Sequence, residues 1–200
     1  MKVSRPYHQA QRAHARERTG ERILEAAESL YRHGWYDEVT LRDVAREADV
    51  ATQTVVNHFG SKAKLLAAVA ERIGERFDPR RDEIAGGDAD GAVAMIFDEY
   101  EEIGDSIVRM ITLEGRVDEL TALLSHGRKV HRAWVQRVFA AALPHASGIE
   151  RDRRTAMFVA ATDVLTWKIL RREQGLSRRA AQAAMRETVE ALLGQRTARR

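Results

Sequence analysis

The chain has 200 residues, of which 44% are apolar and none is cysteine. This length suits one or two compact domains, and the lack of cysteine excludes disulfides, thiolate metal sites and cysteine nucleophiles. The apolar runs are far shorter than the roughly 20 residues that span a bilayer, and the first residues lack the apolar core of a signal peptide. We therefore expect a cytoplasmic protein with no membrane segment.

The formal net charge of +3 is unevenly distributed, with an excess of basic residues at the start of the chain. Residues 1–18 include Arg12, Arg16 and Arg18, and they form a predicted basic N-terminal arm ahead of the first helix. Composition leaves two interpretations open, a solvated tail or a contact with nucleic acid.

Helical periodicity appears first in an apolar stripe at i, i+3, i+4, i+7 and i+8, which predicts a helix from about Thr19 to His33. Gly34 follows it, where a left-handed residue often ends a helix. Thr40 and Asp43 have the spacing of a capping box and predict the start of a second helix. A third helix is predicted to begin near Ala51. Only three or four residues separate the second and third helices, which is typical of a helix-turn-helix.

Ser61 is a natural N-cap for a fourth helix, which Pro79 is expected to end or bend. A glycine-rich segment at 86–91 reads as a linker, and helices follow at about 92–112, 116–143, 150–174 and 178–193, the last capped by Ser177. No strand-like alternation occurs. The predicted class is all-α, with about nine helices: a helix-turn-helix domain at 19–66, a connecting helix to about 83, and a second domain at 84–200.

The exposed face of the third helix is polar, and its residues Thr52, Gln53 and Asn57 are candidates for base contacts. Glutamine and asparagine amides pair with adenine N6 and N7, and a threonine methyl group can touch the thymine methyl group. Candidates for phosphate contacts lie at the flanking helix starts, where free amides favour an anion: Thr40, Ser61 and Lys62. The alternative is that these three are ordinary caps and a solvated lysine.

The segment from Arg22 to Leu66 resembles the N-terminal DNA-binding domain of the TetR/AcrR family of bacterial transcriptional regulators. The resemblance is carried by these residues: Ile23-Leu24-Glu25-Ala26-Ala27, Gly34, Thr40-Leu41-Arg42-Asp43-Val44-Ala45, Val50, Thr54-Val55, His58-Phe59 and Ser61-Lys62. It implies a homodimeric repressor that pairs through its last two helices, binds a palindromic operator on double-stranded DNA, and is released by a small-molecule effector. Within this pattern His58 either contacts a phosphate or packs internally, and Phe59 is expected in the core.

Three positions depart from the family pattern. Asp49 stands where the turn usually has glycine, and aspartate tolerates the left-handed conformation better than most residues. Val56 replaces a tyrosine, which removes a hydroxyl group. Gln53 replaces a common glycine and adds a hydrogen-bonding side chain. The resemblance also gives the basic arm a possible role on the DNA backbone or in the minor groove.

The second domain offers candidate dimer and ligand residues. Small and branched apolar residues suit a helical dimer interface: Ala156, Ala160, Ala161, Val164, Ala180, Ala184, Val189, Ala191, Leu192 and Leu193. A ligand pocket is predicted from residues that would equally fill a core: Phe97, Tyr100, Met110, Trp134, Asp163 and Trp167, with His126 and His131 as further polar groups. A buried Asp163 needs a partner, either an arginine or a ligand.

An acidic run on the fifth predicted helix reads as a solvated face rather than a metal site: Asp98, Glu99, Glu101, Glu102 and Asp105. No metal-ligand spacing is present, so no metal or cofactor is expected. Two other classes of protein fit the sequence less well. An all-helical enzyme would need a nucleophile elbow or a phosphate-binding glycine loop, and the sequence has neither. A helical adaptor for proteins alone would not need the polar reading face.

Overall fold

The computed structural model describes residues 5–144 and 148–194, and all regular secondary structure in these ranges is helical, as predicted. The chain forms two compact units, Met1–Ile73 and Gly74–Arg200. Within the described ranges no helix is long and apolar enough to cross a membrane. The first unit contains α1 (Arg5–His33), α2 (Leu41–Glu47), α3 (Thr52–Phe59) and the first part of α4 (Lys62–Glu83).

Helix α1 begins at Arg5, well before the predicted start at Thr19, so most of the predicted basic arm is helical. The described side chains between residues 11 and 18, Arg16 and Arg18 among them, are exposed. The side chain of Arg12 lies outside the described part of the chain. This stretch has no buried face, and therefore lacks the apolar stripe by which a helix is recognised in a sequence.

The core of the first unit is formed by residues of the predicted apolar stripes, most of which are buried. Ile23, Ala27, Val44, Val55 and Leu65 are all fully buried. The prediction for Gly34 is wrong, because its φ is not in the left-handed region. Its amide instead donates to the Leu30 carbonyl at 2.8 Å, and an added Cβ would lie 3.0 Å from that oxygen.

The second unit begins within α4. It continues with α5 (Ala89–Thr112), α6 (Asp118–Val138), a 3-10 turn (Ala140–Ala142), α7 (Ile149–Ala161), α8 (Val164–Lys168), a π-helical turn (Ile169–Glu173) and α9 (Arg178–Gly194).

Helix α4 continues through Pro79 and ends at Glu83, where the connecting helix was predicted to end. The predicted linker at 86–91 is shorter, because the Asp88 carboxylate accepts a hydrogen bond from the Gly91 amide at 2.8 Å and caps α5.

The predicted helix at 150–174 is two helices and a π-helical turn. The break falls at Thr162 and Asp163, where the Asp163 side chain accepts a hydrogen bond from the Leu165 amide at 2.8 Å and caps α8. The partner of this carboxylate is therefore a backbone amide, and not the arginine or ligand that the sequence predicted. Burial raises the pKa of Asp163, while that hydrogen bond and the charge of Arg128 oppose the rise.

The core of the second unit is aromatic. Phe139 and Phe158 stack with ring centroids 4.6 Å apart, and both are buried, as are Phe97 and Trp167. Gly104 allows the Trp167 ring to pack directly against the backbone of α5, since a Cβ at this position would lie 2.7 Å from the ring.

The acidic residues of α5 are ion-paired rather than merely solvated. Each pairs with an arginine of another element: Asp98 with Arg178, Glu99 with Arg81, Glu101 with Arg171, Glu102 with Arg76, and Asp105 with Arg172. Glu99 is 4% exposed, so the prediction of a solvated face is wrong for this residue. Burial raises the pKa of Glu99, and the Arg81 charge and hydrogen bond oppose that rise.

Candidate nucleic-acid interface

The start of α2 is fixed by the predicted capping box. The Thr40 hydroxyl accepts from the Asp43 amide at 3.2 Å, and the Thr40 amide donates to the Asp43 carboxylate at 3.0 Å. The same carboxylate accepts the Thr40 hydroxyl proton at 2.5 Å. These hydrogen bonds from Thr40 hold the pKa of Asp43 below its usual range. The Thr40 hydroxyl proton is therefore already donated within the cap.

The turn between α2 and α3 depends on Asp49. Its φ is 51°, which makes it the one non-glycine residue in the left-handed region within the described ranges. The Val50 amide then reaches the Ala45 carbonyl at 2.9 Å, which closes the end of α2. The predicted left-handed turn at Asp49 is confirmed. Three residues later α3 begins, so its direction is set by this one turn.

Helix α3 presents the predicted reading face to solvent. Val55 is fully buried and turns the helix so that Thr52, Gln53 and Asn57 are exposed. Gln53 Nε2 donates to Asn57 Oδ1 at 3.0 Å, one helical turn further along. The expected side chains therefore lie on one polar surface, and two of them are joined.

His58 and Phe59 end the helix and are both partly buried, so the prediction that Phe59 belongs to the core is wrong. The His58 ring lies against α1, since a Cβ at Gly20 would be 3.5 Å from its Nδ1 atom. Burial lowers the pKa of His58, and the charge of Arg16 lowers it further. Both effects favour the neutral form of the imidazole.

At the start of α4, Ser61 and Lys62 have different surroundings. The Ser61 hydroxyl accepts from the Lys64 amide at 3.2 Å, as predicted for a cap, and both residues are exposed. The Lys62 ammonium group donates to the Tyr36 carbonyl and lies 4.2 Å from the centroid of the Tyr36 ring. The charge of Lys62 is directed to the loop before α2, whereas Lys64 projects from the surface.

The residues predicted to line a ligand pocket lie in the second unit, most of them in its core. Phe97, Tyr100, Trp134 and Trp167 are buried, and Met110 is partly buried. Two of these have polar partners: the Tyr100 hydroxyl donates to the Thr162 carbonyl at 3.1 Å, and Trp167 Nε1 donates to Glu101 at 2.8 Å.

His131 and Trp134 carry a feature that the sequence did not reveal. Their rings stack at 5.6 Å, and two buried atoms, His131 Nδ1 and Trp134 Nε1, have no partner among the described residues. The Thr162 hydroxyl donates to Phe158, so it accepts from His131 Nε2 at 3.1 Å. Nδ1 is therefore an acceptor beside the unpaired indole donor. Their i, i+3 spacing on α6 was the available signal.

The fold and the geometry of α2 and α3 define a helix-turn-helix protein. Residues 23–69 match the family described as "Bacterial regulatory proteins, tetR family". Over these residues the chain is therefore similar to the TetR family.

Curated relatives match part of the chain. Over 68 residues the chain is 41% identical to the HTH-type transcriptional repressor KstR of Mycolicibacterium smegmatis, covering 33% of each chain. Over 64 residues it is 39% identical to KstR of Mycobacterium tuberculosis, covering 32% of this chain and 29% of the relative. The chain thus spans about a third of the length of the curated relatives it matches.

Solved structures match most of the chain at low identity. A TetR-family transcriptional regulator from Streptomyces coelicolor superposes with a TM-score of 0.70 and 16% identity, over 88% of this chain and 80% of that one. The SmeT–triclosan complex gives a TM-score of 0.66 and 20% identity, over 86% of this chain and 90% of that one. These likenesses concern the fold.

Proposed function

We propose that the chain is a sequence-specific DNA-binding transcriptional regulator, a homodimeric repressor released from a palindromic operator by a small molecule. The exposed polar face of α3 carries this proposal. An α-helix fits the major groove, and the first residues of the second helix in this motif reach base edges. Thr52 and Gln53 occupy those first positions, and Asn57 follows one turn later. All three side chains are exposed.

Phosphate contacts come from both sides of α3. The exposed Ser61 hydroxyl accepts within its cap and keeps its own proton for a phosphate oxygen. Lys64 supplies the charge at this helix start, because Lys62 is bound to the Tyr36 loop. On the other side of α3, the Thr40 cap leaves the first backbone amides of α2 free to donate to a DNA phosphate. His58 contributes as a neutral donor.

The basic first part of α1 is a further backbone contact, as the exposed arginines favour an anion. Arg16 and Arg18 are exposed on a regular helix, and Arg12 belongs to the same helix by its backbone. A helix holds these charges at fixed spacing, so less conformational entropy is lost on binding than with a flexible arm.

The dimer interface of the proposal uses the exposed apolar residues of the last helices. Leu165 and Ile169 are 44% and 46% exposed and lie one helical turn apart. Ala156, Ala160, Ala180 and Ala191 are also exposed and small. Several residues considered for this interface are instead buried within their own chain: Ala161, Val164, Val189 and Leu192.

The effector site of the proposal lies around His131 and Trp134. An unpaired buried donor and acceptor are costly, and a polar group of a bound molecule between them would satisfy both. Tyr100 reaches this site through Thr162, whose carbonyl accepts from its hydroxyl. The Tyr100 and Trp167 rings are 6.3 Å apart, and Phe97 belongs to the same apolar core. SmeT, a protein of the same fold, has been solved in complex with triclosan.

Release follows from differential binding. Two reading helices of a dimer enter successive major grooves only at a spacing of about 34 to 36 Å. A small molecule that binds a dimer with another spacing more tightly lowers the affinity of the dimer for DNA. The size of this effect is limited by how much more tightly the molecule binds that state than the DNA-binding state.

The test is a selection of genomic fragments by the purified protein at physiological salt. The proposal predicts an enriched palindrome, which the Gln53→Ala variant binds more weakly while its non-specific binding is retained. Binding without enrichment, with only salt-sensitive affinity for any duplex, would contradict it.

A further inference from the structure

The hydrogen bond between Gln53 and Asn57 determines which groups of α3 remain available to DNA. Gln53 Nε2 donates to Asn57 Oδ1 at 3.0 Å, and both side chains are exposed. A glutamine amide has two N–H donors and one carbonyl acceptor. One donor is used by Asn57. The second donor and the carbonyl oxygen remain, and together they match adenine, which presents N7 as acceptor and N6–H as donor.

We propose that Gln53 and Asn57 read DNA as one hydrogen-bonded pair, in which Asn57 is a positioning residue that holds the Gln53 amide against an adenine. This inference rests on the proposed function and specifies its sequence choice. The Cα atoms of the two residues lie about 6 Å apart along the helix axis, because four residues each rise 1.5 Å, although their amide groups meet at 3.0 Å. A neighbouring base pair therefore faces Asn57.

Asn57 has its own selectivity within the pair. Its Oδ1 atom accepts from Gln53, which leaves two Nδ2 hydrogens as donors. Donors select an acceptor on a base edge, such as guanine N7 and O6 or thymine O4. The pair therefore predicts adenine at one position of each half-site, with an acceptor-bearing base beside it.

Holding Gln53 in place also changes the energetics of binding. A free glutamine loses side-chain entropy when it docks on a base. Asn57 restricts the amide before DNA is bound, so less freedom is lost in the complex. Removing Asn57 should therefore weaken the Gln53 contact, although Asn57 does not touch the same base.

The experiment measures the affinity of the full chain for its selected operator by fluorescence anisotropy. The Gln53 position of the operator is defined as the base pair at which the Gln53→Ala variant no longer prefers one base. The base expected there is adenine. The Gln53→Ala variant should bind this operator roughly 5- to 100-fold more weakly than the parent does. Replacing that adenine by 7-deazaadenine removes only N7, and should weaken the parent several-fold and Gln53→Ala not at all.

Asn57 variants test the coupling. Asn57→Ala should lose most of the sensitivity to 7-deazaadenine, and its effect should not multiply with that of Gln53→Ala. Asn57→Asp keeps an acceptor for Gln53, so it should retain this sensitivity although its charge weakens binding to every DNA. Because both residues are exposed, the unfolding temperature of each variant should match the parent.

The inference is overturned if Asn57→Ala keeps the full sensitivity to 7-deazaadenine, if the two substitutions multiply, or if the Gln53 position prefers another base. Each of these results leaves operator binding by the parent intact. A parent that selects no operator overturns the proposed function instead, and the pair with it.

Discussion

At the scale of single residues, Asp49 shows how the turn before α3 tolerates a departure from glycine. Its φ of 51° lies in the left-handed region. This conformation raises the free energy of most residues by roughly 1 to 2 kcal/mol, and that of aspartate by less. We expect Asp49→Ala to lower the free energy of unfolding by about 1 kcal/mol, and Asp49→Gly to leave it equal or slightly higher. Urea unfolding measures both. An alanine variant as stable as the parent would remove the strain argument.

His131 gives the second unit a dependence on pH. Burial, with help from the Arg81 charge, lowers its pKa to about 4, and a backbone hydrogen bond at Val159 opposes this. In the unfolded chain the pKa is near 6.5, so between these values the unfolded state binds the proton first. The contribution to stability is therefore complete above pH 6.5 and lost as the pH falls towards 4.

We expect this loss to be roughly 3 kcal/mol at most. The difference in unfolding free energy between the parent and a His131→Gln variant isolates this loss. Carboxylates with raised pKa values, such as Glu99 and Asp163, change stability in the opposite direction, but they are present in both proteins and cancel in the difference. Unfolding free energies at pH 7, 6 and 5 are the measurement. A difference that is constant with pH would contradict a neutral, buried His131.

At the scale of elements, the start of α4 separates two lysines by role. Each phosphate contact contributes about 0.9 to the slope of log affinity against log salt. Lys64→Gln should therefore reduce the magnitude of the slope by about 0.9 for each protomer, or about 1.8 for the DNA-bound dimer. Lys62→Gln should leave the slope unchanged and lower the unfolding temperature, because its ammonium group binds the Tyr36 carbonyl. The opposite pattern would return the phosphate role to Lys62.

Helix starts were predictable wherever their signal is local. Thr40, Ser61 and Ser177 each accept from an amide three residues later, as their spacing indicated. Asp163 is the same kind of cap, accepting from Leu165 two residues later. Its place in an apolar run made it read as a buried charge. The sequence therefore predicted α2, α3 and α4 closely, but missed the break before α8.

Contacts between distant residues were not predictable. The exposed face of α3 followed from the apolar period, which fixes what is buried. Lys62 reaches a carbonyl 26 residues away, and the unpaired atoms of His131 and Trp134 depend on what packs around α6. Neither leaves a periodic trace. The long first part of α1 was missed for a related reason, since its described side chains, Gln11 and residues 13–18, are exposed and give no apolar stripe.

At the scale of the whole molecule, the proposed dimer depends on an exposed apolar surface. Ile169→Glu, or Leu165→Glu, would place a charge in the proposed interface, where an unpaired charge is costly. We expect the dimer to dissociate at least about tenfold more readily, measured by analytical ultracentrifugation, with operator binding weakened in parallel.

The matched control is Ala122→Glu. Ala122 is exposed on α6, a helix that carries none of the proposed interface residues, and its substitution should change neither quantity. If Ile169→Glu and Ala122→Glu behaved alike, the interface would lie elsewhere on the chain.

The most direct test of operator reading by a dimer is a base-resolved footprint of the protein on its selected operator. We predict two major-groove segments, protected equally, with centres one helical turn or a multiple apart and two-fold symmetry. In the Gln53→Ala variant both segments should weaken together. Protection of a single segment, or protection that leaves the major groove open, would contradict a dimer that reads DNA through α3.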